Sequence, residues 1–390
     1  MRRKTTGLYV SASIILAAMI LWVPLSGAWS PSKRLTYSIG DALGPKIAAG
    51  PASQIHVVWY DDSFIWTGGS TEVFYKSSLD GGAAWNVNQR MTWGGGWYCT
   101  VAAGPGNNVH VVWVVNYDLF YKKSSNSGAA WGPRQRLTYT SGDSYAPEVA
   151  VDSSNRVHVV WDEYDYGAGN DEIYYKRSVD GGNTWLPPQR LTWSSTNSRF
   201  PDIAVDGSGH VHVVWYDAAG GNEEIFYKRS TDGGQTWGSL QRLTWMPNAS
   251  YAPAVCTGGT NNVFLVWHDL KPCGGTAWEI YFKKSQNAGV TWTTAQRLTW
   301  NTVGSVYPDV GVDSNNVVHL VWEDFIHWNE EIYYKTGSSG GTTWSGIQRL
   351  TWTQFWSETP KIAVDSNDKI HLVWTDDSSG DHEIYYRRKD

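Results

Sequence analysis

Cysteine, methionine and charge are all scarce in this 390-residue sequence: three Cys, four Met and 17% charged residues. Cys99, Cys256 and Cys273 are too few and too irregularly spaced for a disulfide framework. Cys256 and Cys273 fall close enough together to pair in an oxidising compartment, and the alternative is that all three are small apolar fillers. No His/Cys spacing suits a metal ion, and no cofactor is expected. No Lys/Arg run follows the first few residues, and the formal net charge is −6, which argues against a nucleic-acid partner. Past the N-terminal segment there is no apolar run long enough to span a bilayer and no helical periodicity. What the chain has instead is 25 Trp, 22 Tyr and 40 Gly, far too much aromatic surface for a disordered polymer.

The N-terminus reads as an export signal. Arg2, Arg3 and Lys4 precede an apolar stretch from Leu8 to Val23, and Ser26-Gly27-Ala28 offers the small residues that a signal peptidase reads. Cleavage is expected after Ala28, so that residues 1–28 are the signal and 29–390 the mature domain, with a net charge of −9 once the three basic residues are lost. An uncleaved anchor is the alternative reading. The expected location is secreted, periplasmic or cell-surface.

Internal repetition then organises everything else. Gln-Arg-Leu-Thr-Trp recurs at Gln189, Gln241, Gln296 and Gln348, with near copies at Gln89 and Gln135. A phrase close to apolar-His-apolar-Val-Trp ends at Trp59, Trp113, Trp161, Trp215, Trp267, Trp322 and Trp374. A third phrase, Glu-Ile-Tyr-Tyr-Lys or a variant, opens at Glu72, Asp118, Glu172, Glu224, Glu279, Glu331 and Glu383. A Pro (Cys99 in the second copy) stands 14 residues before each Trp of the second phrase. The interval from that Trp to the next acidic residue is the variable one, from five residues (Trp113 to Asp118) to 13 (Trp59 to Glu72).

Each repeat holds four short stretches of alternating, β-branched and aromatic residues separated by Gly, Asn, Asp and Ser, which predicts four strands. Seven such repeats predict an all-β, seven-bladed β-propeller with four-stranded antiparallel blades. The last repeat stops after its third strand, while Lys33-Arg34-Leu35-Thr36-Tyr37 is a fourth strand without a blade. The N-terminal strand is therefore expected to complete the last blade and close the ring.

Between third and fourth strands stand Ser178-Val-Asp180-Gly-Gly182-Asn-Thr184-Trp185 and Ser230-Thr-Asp232-Gly-Gly234-Gln-Thr236-Trp237, with degenerate copies at 78–85 (holding Asp80 and Trp85), 124–131, 285–292 and 337–344. The Asp can accept hydrogen bonds from turn amides, Gly can take a positive φ, and Trp is expected to be buried as a plug of the blade core. These motifs, over essentially everything after residue 32, resemble the Asp-box (BNR-repeat) propellers, of which sialidases are the best-known enzymes. The resemblance implies that the boxes are structural and lie away from any active site. It also implies, for an enzyme, an arginine triad gripping a carboxylate, a Tyr–Glu nucleophile pair, an Asp acid/base and a Phe/Tyr-Arg-Ile-Pro motif in the first blade. Here the first blade reads Leu43-Gly44-Pro45 without Arg; the nearest approach is Ser198-Arg199-Phe200-Pro201, with Asp217 or Glu223 as the following candidate acid. The arginines Arg90, Arg136, Arg190, Arg242, Arg297 and Arg349 recur in blade after blade and read as scaffold.

Loops of variable length share the face opposite the boxes, where binding usually resides. That face gathers Trp97, Tyr98, Tyr145, Phe200, Tyr251, Tyr307 and Trp356, and the variable loops add Trp66, Tyr164, Tyr166, Trp278, His327 and Trp328. Aromatic faces stack on sugar rings, and Asp, Glu and Asn beside them bond hydroxyls. The acids Asp61, Asp217, Asp269, Asp324 and Asp376, two residues after the phrase Trp, are expected to tie down loop bases rather than to catalyse. The reading is an exported, monomeric, lectin-like propeller binding carbohydrate or a glycoconjugate. The alternatives are a sialidase or related glycosidase centred on Arg199, and a structural or protein-binding component of the cell surface. Arg199, where other repeats have Tyr or Val, is the candidate for gripping a ligand carboxylate.

Overall fold

The computed structural model describes residues 27–65, 69–270, 277–326 and 329–390. Residues 1–26 of the expected signal, Trp66, Cys273, His327 and Trp328 lie outside these residues, and with them the Cys256–Cys273 pairing and those three aromatic candidates.

Seven antiparallel sheets follow one another along the chain, with strands in sequence order except in the last, whose outer strand comes from the N-terminus; the sixth adds Thr343–Trp344 as a second short strand beside its third. In blade 3 these are Asp143–Val151, Val157–Asp165, Asn170–Ser178 and Gln189–Arg190. First strands of successive blades touch all the way round, and the first strand of blade 1 (Ala42–Ala49) meets that of blade 7 (Ser357–Val364). First strands therefore ring the axis, and the short fourth strands form the outer circumference. The last blade is completed by Lys33–Arg34, whose register is Lys33 opposite Tyr386 and Arg34 opposite Tyr385. This strand closes the ring and covers the edge that Glu383–Lys389 would otherwise expose.

The second strand is the apolar heart of each blade because it is covered by neighbouring strands at both edges and neighbouring blades on both faces. Its Trp is at most 1% exposed in all seven copies. The His three positions before that Trp reaches a third-strand Tyr: His56 Nδ1 lies 2.7 Å from Tyr75 Oη, and five more blades repeat the contact at 2.6–2.8 Å. Burial holds His56 and His110 neutral, down to about 4. Blade 5 substitutes Phe264 and Phe282, stacked at 6.3 Å, so both polar partners are lost together.

The recurring arginines are scaffold. Arg90, Arg190, Arg242, Arg297 and Arg349 pair with the acid opening the third strand of their own blade at 2.6–2.9 Å, and Arg136 pairs with Asp118. The same acid accepts a hydrogen bond from the phrase Thr, as in Thr299 Oγ1 to Glu279 at 2.6 Å.

The turns between third and fourth strands behave locally as expected, except for their Trp. Asp180 accepts from Ser178 Oγ at 2.7 Å and from the Asn183 and Thr184 amides, and Asp232 repeats the pattern. Gly182 has φ of 81°, and an added Cβ there would lie 1.8 Å from the Tyr121 hydroxyl of the preceding blade. Trp85, Trp185 and Trp237 are half-buried, not buried. They do not plug their own blade: each packs edge-on against a Tyr of the blade before it, as Trp185 does on Tyr121 at 5.0 Å and Trp237 on Tyr175 at 4.9 Å. They seal joints between blades at the rim, where solvent reaches one side of the ring.

Candidate functional site

The face carrying the variable loops opens on a mouth built by seven equivalent β-bulges. In every blade the register slips just before the axial strand begins its inner half, as between Tyr145 and Glu148 in blade 3. Pro has no N–H for a ladder and therefore suits a bulge. The residue before it (before Cys99 in blade 2) takes a left-handed φ: 58° at Gly44, 45° at Tyr98, 41° at Ala146, 50° at Phe200, 46° at Ala252, 48° at Tyr307 and 49° at Thr359. That conformation favours Gly, and a bulky side chain in it carries strain of about 1 kcal/mol or more. The chain nevertheless puts aromatics there in blades 2, 4 and 6 and small residues in the others. Tyr98, Phe200 and Tyr307 remain 37%, 47% and 52% exposed around the mouth.

A second set of residues stands directly after the buried Trp. This position varies from blade to blade (Tyr60, Val114, Asp162, Tyr216, His268, Glu323, Thr375) while its neighbours hardly change. Three of these side chains accept the bulge amide of the next blade: Asp162 from Phe200 N–H at 3.3 Å, His268 Nδ1 from Tyr307 N–H at 3.2 Å, and Glu323 from Thr359 N–H at 3.0 Å. All three are nearly inaccessible. Burial, with Asp171 nearby, pushes the Asp162 carboxyl up to about 7, and burial pushes Glu323 up to about 8. Both acids are thus substantially protonated at neutral pH and can donate a hydrogen bond. Burial pulls His268 down to about 3, so its imidazole is neutral with Nδ1 accepting.

Two cavities flank Phe200. One, of about 390 Å³, is lined by Tyr98, Asp143, Tyr145, Asp162, Tyr164, Tyr166, Asp171, Arg199 and Phe200. The other, about 440 Å³, is lined mainly by rings: Phe200, Tyr216, Tyr251, His268, Trp278, Tyr307 and Phe325. Tyr251 packs against Tyr216 at 4.9 Å and Trp278 at 5.5 Å. Phe200 also borders an axial cavity of about 360 Å³ below the mouth. The residue after each bulge Pro points there. Lys46 pairs with Glu148, Lys361 with Asp309 at 3.8 Å, and burial beside Glu148 raises Asp202 to about 7.

Of the residues singled out in the sequence, Tyr98, Tyr145, Tyr164, Tyr166, Arg199, Phe200, Tyr251, Trp278 and Tyr307 come together in these cavities. Trp97 supports them from behind, its ring 4.7 Å from that of Tyr98. Trp356 is 51% exposed and lines neither cavity. Arg199 does not stand ready for a ligand: its Nε and Nη2 both lie 2.5 Å from Oδ2 of Asp171, a buried carboxylate. Asp217 is committed to the scaffold, accepting from Ser194 at 3.0 Å, Thr196 at 2.8 Å, Ser198 at 2.5 Å and the Ala219 amide at 2.6 Å. Asp269, Asp324 and Asp376 likewise hold Ser250, Ser305 and Ser357. Glu223 sits at the edge of the aromatic cavity beside Tyr251, whose hydroxyl it helps to raise after burial. Asp162, Asp171, Tyr216, His268 and Glu323 were missed; the signal for four of them was the variable position between the constant Trp and the constant acid.

No protein-family model matches the chain, and a search of curated proteins finds no match. Solved structures do resemble it. A protein of unknown function from Dyadobacter fermentans aligns with TM-score 0.58 and 12% identity, over 92% of this chain and 98% of that one. The GH93 α-L-arabinofuranosidase of Fusarium graminearum, in complex with arabinobiose, aligns with TM-score 0.54 and 13% identity over 75% and 92%. A mutant of the NanB sialidase from Streptococcus pneumoniae gives 0.52 and 10% over 91% and 70%. At such identities the likeness speaks for architecture alone: this chain is a seven-bladed β-propeller of the sialidase-like fold.

Proposed function

We propose that this protein is an exported, monomeric carbohydrate-binding propeller whose ligand sits at the mouth, on the face away from the Asp-box turns. The observation carrying the reading is Phe200, which walls three cavities at once and is held in a strained, exposed conformation by its bulge. Rings for stacking and protonated carboxyls for hydroxyl hydrogen bonds surround it, the combination a sugar needs. The glycosidase names among the structural neighbours are consistent with a carbohydrate ligand and supply probes. Calorimetric titration with arabinobiose and with sialyllactose should show binding that Phe200→Ala weakens at least tenfold without lowering the melting temperature. If neither these nor a wider glycan panel binds, the structural or protein-binding role takes its place.

A glycosidase is the second reading, favoured by one contrast. Burial raises Asp162 to about 7 while Asp171 beside it is paired with Arg199, and unlike carboxyls suit acid and base roles. Release of arabinose or sialic acid, abolished in Asp162→Asn, would establish it.

A further inference from the structure

The phrase Gln-Arg-Leu-Thr-Trp or a variant opens with each short fourth strand and runs past it, and four of its five residues are explained by folding. In blade 1 and its neighbours, Gln89 Nε2 donates to the Gly128 carbonyl of the next blade at 2.9 Å, Arg90 pairs with Glu72, the apolar residue is buried, and the Thr hydroxyl bonds the same acid. The fifth is not. Trp93, Trp193, Trp245, Trp300 and Trp352 are 66–70% exposed, and Tyr37 and Tyr139 hold their places in the other two blades with still more exposure. The largest apolar side chain thus recurs in solvent around the whole circumference.

These rings are held in place but not covered. The Arg90 guanidinium lies 5.7 Å from the Trp93 centroid and Lys122 Nζ of the next blade 5.6 Å, and blades 3, 4 and 5 repeat both contacts. Both cations are already committed, the guanidinium to Glu72 and the ammonium to the Met91 carbonyl at 3.1 Å. The arrangement orients an indole while offering no free charge. Beside Trp352 a groove of about 360 Å³ opens at the joint of blades 6 and 7, lined by Tyr385, Thr353, Ser378 and Arg387, whose guanidinium is committed to the Ser30 and Leu350 carbonyls.

We propose that this belt is a second carbohydrate-binding surface, separate from the mouth, for a neutral β-linked gluco- or xylo-configured polysaccharide. Equatorial substituents leave such a pyranose a flat C–H face that stacks on an indole, and the hydroxyl groups of Thr353, Ser378 and Tyr385 in the groove meet its rim. Committed cations disfavour an anionic ligand. Seven platforms facing outward in seven directions cannot be covered by one globular partner, whereas a polymer or a sugar-coated surface engages several together and gains by avidity.

Affinity electrophoresis in gels containing soluble mixed-linkage β-glucan or xylan tests this, with polygalacturonate as the anionic control. The full chain should be retarded by a neutral polymer, the triple substitution Trp193→Ala/Trp245→Ala/Trp300→Ala should lose at least tenfold in apparent affinity, and Trp→Tyr at the same positions should retain most of it. Phe200→Ala should leave belt binding intact, so failure of the mouth and failure of the belt are read separately. The proposal is overturned if no neutral polymer retards the wild type, if the triple variant is retarded equally, or if only polygalacturonate retards it. A triple Ala variant that melts far below the wild type, with Trp→Tyr equally unable to bind, would assign the rings to stability instead.

Discussion

Trp29 stands edge-on to Tyr334, ring centroids 5.0 Å apart and planes at 89°. The same contact joins Trp85 to Tyr386, Trp131 to Tyr75, Trp185 to Tyr121, Trp237 to Tyr175 and Trp292 to Tyr227, always from one blade to the blade before. Trp29 is therefore the missing turn Trp of blade 7, supplied from the other end of the chain. A protein beginning at Trp29 should melt like the full chain. One beginning at Lys33 should lose about 1–3 kcal/mol with that half-buried ring. One beginning at Asp41 also uncovers the Glu383–Lys389 edge and should aggregate. Thermal melts and light scattering of the three would check the order, and equal melting of all would sink the closure.

The His–Tyr pairs make a second test. Tyr175→Phe or His158→Phe leaves one buried polar atom without its partner and should cost about 1–3 kcal/mol. The double substitution recreates the Phe264–Phe282 arrangement of blade 5 and should cost clearly less than the two singles together. A denaturant-melt cycle that is additive would show the pair to be uncoupled.

Because Trp185 and Trp237 are half-buried, Trp→Ala at either should cost about 2 kcal/mol, below the usual toll for a fully buried ring. Trp161→Ala or Trp215→Ala, in the blade centres, should cost about 3–5 kcal/mol or prevent folding. Binding at the mouth should survive either turn substitution, and its selective loss would place the functional face on the wrong side.

The buried acids fix the sign of the pH dependence. Asp162 and Glu323 are raised in the folded protein to about 7 and about 8, so the fold favours their protonated forms. Their contribution is complete below about pH 4 and is lost as pH rises through 7–8. Asp152 and Asp365, lowered to about 2 by His and amide hydrogen bonds against the opposing effect of burial, contribute above about pH 4 and fail as pH falls through 2. Stability should therefore peak at mildly acidic pH. Glu323→Gln keeps an acceptor for Thr359 N–H and should raise the melting temperature by about 2 °C or more at pH 9 while changing little at pH 4. A constant difference across that range would remove the explanation.

If the mouth binds carbohydrate as proposed, Arg199 should bear on ligand choice through its pairing with Asp171. Arg199→Ala should weaken acidic sugars more than neutral ones and, by stranding a buried carboxylate, cost about 1–3 kcal/mol. Asp171→Asn frees the guanidinium and should strengthen sialyllactose binding several-fold without improving arabinobiose. Opposite or equal changes in the two ligands would take Arg199 out of the site.

Three phrases repeated six or seven times, at spacings constant but for one interval, carried the architecture, down to the strand that closes the ring, because each repeat is a local unit whose strands pair in chain order. The scaffold roles of the repeated arginines and acids were legible for the same reason: a group present in every blade meets the same neighbours in every blade. Contacts between blades were not. Trp29 stood four residues before Lys33, as every turn Trp stands before its Gln, but nothing in one repeat says that this ring seats on Tyr334 more than 300 residues away. Nor could spacing reveal that Arg199 is already held by Asp171, that Asp162 and Glu323 cap the bulges of the following blades, or that Phe200 adopts a left-handed backbone. Those relations depend on which residues two adjoining blades bring to one surface, and burial there, not residue type, sets whether a carboxyl is charged and whether a ring is free to bind.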